Sequence, residues 1–307
     1  MTNNNNNEWP VLSYKNGKET YETLQLWTQI VGKIKLEALP WVNHSWHITL
    51  HITPTGLTTQ TIPYQNTYFQ IDFDFVNHEL RVSKSDGSVR QFSLKHISVA
   101  DFYDKIFAIL GEMGIHIVIK TMPSEVFGDV IPLDSDHKHV TYDENQAAAF
   151  HKALLNIQQV FMIYRSGFTG KSSPVHFFWG TFDLALAFFS GRKAPRHPGK
   201  LPHLPDKVLQ DAFSHEVNDC GFWTGSEAFP EAAFYCYLYP EPAGYQTAKV
   251  SPAEAFYSLP MGEFILPYAA VQRAENPKAK LLDFLKSTYA IGSGLAKWDN
   301  GLWKQEE

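Results

Sequence analysis

The chain has 307 residues, of which 44% are hydrophobic and 14% aromatic, and its formal net charge is −6. That much apolar surface excludes a disordered chain, and the acidic balance excludes a dedicated nucleic-acid binder, which needs a basic face. Only two cysteines occur, Cys220 and Cys236, so no disulfide framework is expected and the economical setting is cytoplasmic.

Met1 to Asn7 is an asparagine run without the basic start or apolar core of a signal peptide, and residues 1–8 read as a disordered tail. Leu24, Trp27, Val31 and Ile34 recur at helical spacing behind Thr20 and predict a helix over Thr20–Leu36. Trp46, Ile48, Leu50 and Ile52 alternate with polar residues, as do Phe69, Ile71, Phe73 and Phe75, and both read as strands. Leu80 and Val82 lead to Ser85-Asp86-Gly87-Ser88, a hairpin turn, with Phe92 and Leu94 beyond it. Ser98 with Asp101 opens a second helix, striped by Phe102, Ile106, Ile109 and Met113 and stopped by Gly114. Ile115–Ile119 reads as a strand. Asp143 with Gln146 starts a third helix that closes near Gly167. Val175–Trp179, Ala233–Tyr239 and Glu263–Leu266 are further strands, and Asn276-Pro277 starts a fourth helix. The most apolar stretch, Val175–Phe189, contains Asp183 and falls short of the roughly 20 apolar residues of a membrane span.

The two halves read alike. Thr20–Leu36 matches Asp143–Arg165, Trp46-His47-Ile48 matches Val175-His176-Phe177, and Ile71–Phe75 matches Phe234–Leu238. Ser98–Tyr103 matches Ser251–Tyr257, and Gly114–Ile117 matches Gly262–Ile265. The expectation is an α+β fold: an internally duplicated α–β–β–α–β module with antiparallel sheets and a pseudo-two-fold axis. Residues 9–307 would form a single whole-chain domain of two repeats, about 9–130 and 137–300. The second repeat is longer, and its insertion falls at about 180–232.

The insertion holds SGRKAPRHPGKLPHLP from Ser190 to Pro205, where Arg192, Lys193, Arg196, Lys200, His197 and His203 gather in an acidic chain. Such a loop suits a small anionic ligand, or is ordinary surface charge. His215 beside Glu216 suits acid–base work, or marks a turn. His176 sits among large apolar residues, and a buried ring there needs hydrogen-bond partners. It serves either a pocket or the core. Asp183 interrupts the apolar stretch. Tyr235, Tyr237 and Tyr239 share one strand face, which suits a polar ligand or packing. His137-Lys138-His139 places two imidazoles on one side of an extended chain, but the zinc patterns are absent, so no metal is favoured. No cofactor is favoured either: G-x-S-x-G, G-x-G-x-x-G and the phosphate loop are missing, and Gly167–Ser172 lacks the first glycine.

The stretches LQLWTQIVGKIKL, NHSWHITLHITPTGLTT, FQIDFDF, SPVHFFWGTFDLA, HPGKLPHLP, SHEVNDCGFW and EAAFYCYLYPEP resemble an uncharacterised bacterial family, a domain of unknown function, over about Trp9 to Trp298. The resemblance implies a bacterial protein with one whole-chain domain, and it carries no catalytic residue. Function rests on the residues. The expectation is a soluble small-molecule-binding protein, with Arg192, His197, His203, Tyr235 and Tyr237 binding a small polar or anionic ligand; whether it is an enzyme stays open, and if it is, His176, His215, Glu216 and Asp183 are the candidates for acid–base chemistry. No nucleic acid or membrane partner is expected. The alternatives are a metal-dependent hydrolase built on His137, His139, His176 and His215, and a non-catalytic interaction module.

Overall fold

The computed structural model describes residues 9–126, 128, 130–199 and 204–304. The expected tail, Lys200 and His203 lie outside them. In the first half, helix α1 (Tyr14–Ala38) precedes strands β1 (His51–Ile52), β2 (Gly56–Thr58), β3 (Ile62–Tyr64), β4 (Thr67–Asp74), β5 (Glu79–Lys84) and β6 (Val89–Ser93), then α2 (Val99–Glu112). The second half runs α3 (Glu144–Ser166), β7 (His176–Phe178), β8 (Asp183–Lys193), α4 (Asp206–Ala212), β9 (His215–Trp223), β10 (Ala233–Tyr239), β11 (Phe256–Ser258), β12 (Glu263–Pro267), α5 (Tyr268–Gln272) and α6 (Pro277–Leu295). Two six-stranded antiparallel sheets result. One has the order β1-β2-β4-β5-β6 with β3 on β4, and the other β11-β12-β10-β9-β8-β7. The fold is therefore α+β.

The sheets meet edge to edge. Leu50 and Phe177 exchange both backbone hydrogen bonds, at 2.9 and 2.8 Å. In the second sheet Phe177, Leu184, Phe222, Phe234 and Leu266 lie side by side, all buried. Helices α3, α5 and α6 pack on that sheet. Alternation turns the neighbouring row, His176, Ala185, Gly221, Tyr235 and Ile265, to the opposite face. Among the described residues no helix is long and apolar enough to cross a membrane.

Several expectations need correction. Helix α1 starts well before Thr20, because Ser13 caps it by accepting from the Asn16 N–H. Thr20 instead accepts from the Asp143 N–H at the start of α3. Trp46–Ile52 is strand only at His51–Ile52. Asn43–Ser45 is a 3-10 turn, and the Thr49 hydroxyl bonds back to the Trp46 carbonyl, competing with extended pairing. Among the described residues, Ile115–Ile119 pairs with no strand. The Tyr64 hydroxyl accepts from the His116 N–H and donates to its carbonyl, so one side chain satisfies the backbone there. The stretch expected as an insertion, about 180–232, holds strands β8 and β9, which pair along the sheet, together with the connection carrying α4 and the connection from Thr224 to Ala232. The proposed repeat also loses two matches. Ser98 opens helix α2, whereas Ser251–Ala255 is a turn before β11, and Gly114–Ile117 is irregular, whereas Glu263 starts β12.

Candidate functional site

The face of the second sheet away from α3, α5 and α6 carries an unusual set of acids. Asp183 projects from β8, Asp219 from β9 and Glu263 from β12, with Tyr235 and Tyr237 of β10 among them. The Tyr235 hydroxyl donates to Asp183 Oδ2 at 2.5 Å, and Thr181 donates to Oδ1. The Tyr237 hydroxyl is directed at Asp219. Gly221, directly beside Tyr235, leaves room for that ring to cross β9, since a Cβ there would collide with it. Ala185 and Ala187 keep the floor low.

Burial pushes all these carboxyls up. Asp183 is 7% exposed and its carboxyl is raised, mainly by desolvation. Asp219 is raised well above the usual range by desolvation and then by the Asp183 charge. Desolvation, with a smaller push from the Asp183 charge, carries Glu263 to about 8. Glu125, whose carboxylate fills the space beside Gly180, reaches about 7 for the same two reasons, partly offset by Lys33. Oδ1 of Asp219 has essentially no accessible surface and no hydrogen-bond partner. Two surface hollows, of about 440 and 370 Å³, lie elsewhere, one beside Arg273 and Lys280 and the other beside Tyr64 and His116.

A second polar cluster marks the seam between the sheets. His176 is 1% exposed, with Nδ1 3.1 Å from the Thr49 hydroxyl. Desolvation lowers it to about 3 and lowers its neighbour His51 to about 4. His47 Nδ1 accepts the Val42 N–H, which puts the proton of the neutral ring on Nε2, a buried donor without a partner. His44 Nδ1 is 3.1 Å from the Ala212 carbonyl, and the His215 ring lies 6.2 Å from that of His44. Four of these rings, His44, His47, His51 and His176, are pushed toward neutrality by burial.

The predicted residues thus divide. Asp183, Tyr235 and Tyr237 converge on one face, and His176 sits on the same face beside Ala185. His215 belongs to the seam. Arg192 forms an ion pair with Glu216 at 2.6 Å and donates to the Ala296 and Lys297 carbonyls at the end of α6, so both side chains hold structure together. Arg196 donates to Gln210, and His197 stacks on Phe213 and touches Tyr239. His137 lies against Ser98 and His139 against Asp136. Among the described residues no group of three or more His, Cys, Asp or Glu side chains is placed to hold a metal ion. Asp219, Glu263 and Glu125 went unpredicted. The signal for Asp219 was its two-residue step to Gly221 and Trp223, visible only once His215–Trp223 is read as a strand.

A family model described as a family of unknown function (DUF5996) matches residues 9–305, so the chain belongs to that family. No curated protein and no solved structure matches it.

Proposed function

We propose that the chain binds a small polar molecule on the carboxyl and tyrosine face of its second sheet, and that this face supplies acid–base chemistry. Burying acids without counter-charge costs stability, and such groups concentrate where a ligand or a reaction needs them. The observation that carries the reading is Asp219, whose Oδ1 is buried with nothing to bond. Asp183, held by Tyr235 and Thr181, is the positioned partner. For proton transfer, Glu125 at about 7 and Glu263 at about 8 suit neutral pH better than His176 at about 3. Three acids on one face, with Glu125 within reach of the Asp183 charge, also favour a ligand that is not an anion. A cytoplasmic location and a bacterial source belong to the same proposal, supported by the cysteine content and the sequence resemblance.

The test uses the unliganded protein. Asp219→Asn and Glu263→Gln remove carboxyls whose charged form burial penalises, so both variants should melt at a higher temperature than the parent near pH 8. A lower melting temperature for both would make these carboxyls structural and overturn the reading.

A further inference from the structure

Resting on that reading of the site, we infer that the occupant is an alkyl di- or polyamine held between the carboxyls and the aromatic rings of the second sheet. No ion pair among the described residues includes Asp183, Asp219, Glu263 or Glu125. The Lys33 amine bonds to the Met122 carbonyl and the Ser124 hydroxyl, and of these four acids its charge acts on Glu125. Among the described residues, Asp183, Asp219 and Glu263 have no counter-charge when they ionise.

Two further observations specify the cation. Asp219 Oδ1 lacks a hydrogen-bond donor, which an N–H cation supplies and a quaternary ammonium does not. The rings beside the acids form a run: Trp223 lies 5.4 Å from Phe229 and 6.4 Å from Tyr235, and Phe229 lies 6.5 Å from Phe256, which is 44% exposed. Ring faces attract ammonium groups and their methylene stems alike. Asp183 on β8 and Glu263 on β12 stand three strands apart, roughly 14 Å across the sheet at the usual strand spacing, and four residues apart along the register. One ammonium does not serve both; a linear chain with two or three does.

Spermidine titrated calorimetrically into the full chain near pH 8, in moderate salt, is the test. Saturable binding is expected, weakened ~10-fold by Asp219→Asn and by Glu263→Gln, since each removes a charge-assisted contact. Glu112→Gln, which removes an equal charge from the exposed end of α2, should leave it unchanged. Tetramethylammonium, which has no N–H, should bind ~10-fold more weakly than spermidine. No saturable spermidine binding overturns the inference, as does binding that Glu112→Gln weakens as much as the site variants. Saturable binding of inositol or citrate that the site variants abolish, with none of spermidine, overturns the amine and keeps the site. Failure of the site itself is read separately, as lower melting temperatures for both unliganded variants.

Discussion

His176 and His51 stand side by side at the seam, and burial holds both rings neutral, His176 at about 3 and His51 at about 4. A base whose folded pKa is depressed binds fewer protons folded than unfolded. Its contribution is complete above the unfolded value of about 6.5 and is lost as pH falls toward the folded value. Melting temperature should therefore drop steeply between pH 6.5 and pH 4, at up to ~1.4 kcal/mol per pH unit for each ring. His51→Gln should shallow that limb, and an unchanged limb would show that the rings are not its cause. Gly221 makes a second residue-scale prediction. A Cβ there would sit 2.5 Å from the Leu184 carbonyl and inside the Tyr235 ring. Gly221→Ala should cost ~1–3 kcal/mol in urea unfolding and pull Tyr235 off Asp183. Tyr235 and Tyr237 were legible because β10 alternates cleanly. Asp219 was not, because Val217, Asp219, Gly221 and Trp223 on its face share no polarity.

Elements bounded by caps were the most legible. The Ser98 hydroxyl accepts from the Asp101 N–H, and the Asp101 carboxylate accepts from the Ser98 N–H, closing the reciprocal pair that the spacing predicted. Asn276 and Asp143 cap α6 and α3 in the same local way. Ser98→Ala should lower stability by about 1 kcal/mol, read as an earlier urea midpoint with unchanged slope. A changed slope would instead indicate loss of α2 as a unit. Where distant partners decide, the sequence was misleading. Ile115–Ile119 has strand-like composition, yet the Tyr64 hydroxyl takes the place of a neighbouring strand. Strand β8 was not legible, because an unbroken apolar run such as Leu184–Phe189 lacks the alternation that marks a half-exposed strand.

At the scale of the molecule, neither half closes its own core. Trp9 packs on Tyr268, whose hydroxyl donates to the Pro10 carbonyl, so the first described residues lie against α5 near the other end of the chain. Tyr21 of α1 meets Phe150 of α3, and Trp27 stacks on Phe102 while touching Tyr142. Leu50 and Phe177, both fully buried, pair the two sheets across the seam. We propose that the halves, whatever their ancestry, form one folding unit. Fragment 9–130 would expose the α1 face that α3 covers, together with the unpaired edge at Leu50, and an edge of that kind invites aggregation. Expressed alone, it should lack cooperative thermal unfolding and protected amides; mixed with fragment 137–305, it should recover both. A cooperative, amide-protected 9–130 fragment would instead establish two separable domains, with the Leu50–Phe177 pairing as a contact between them.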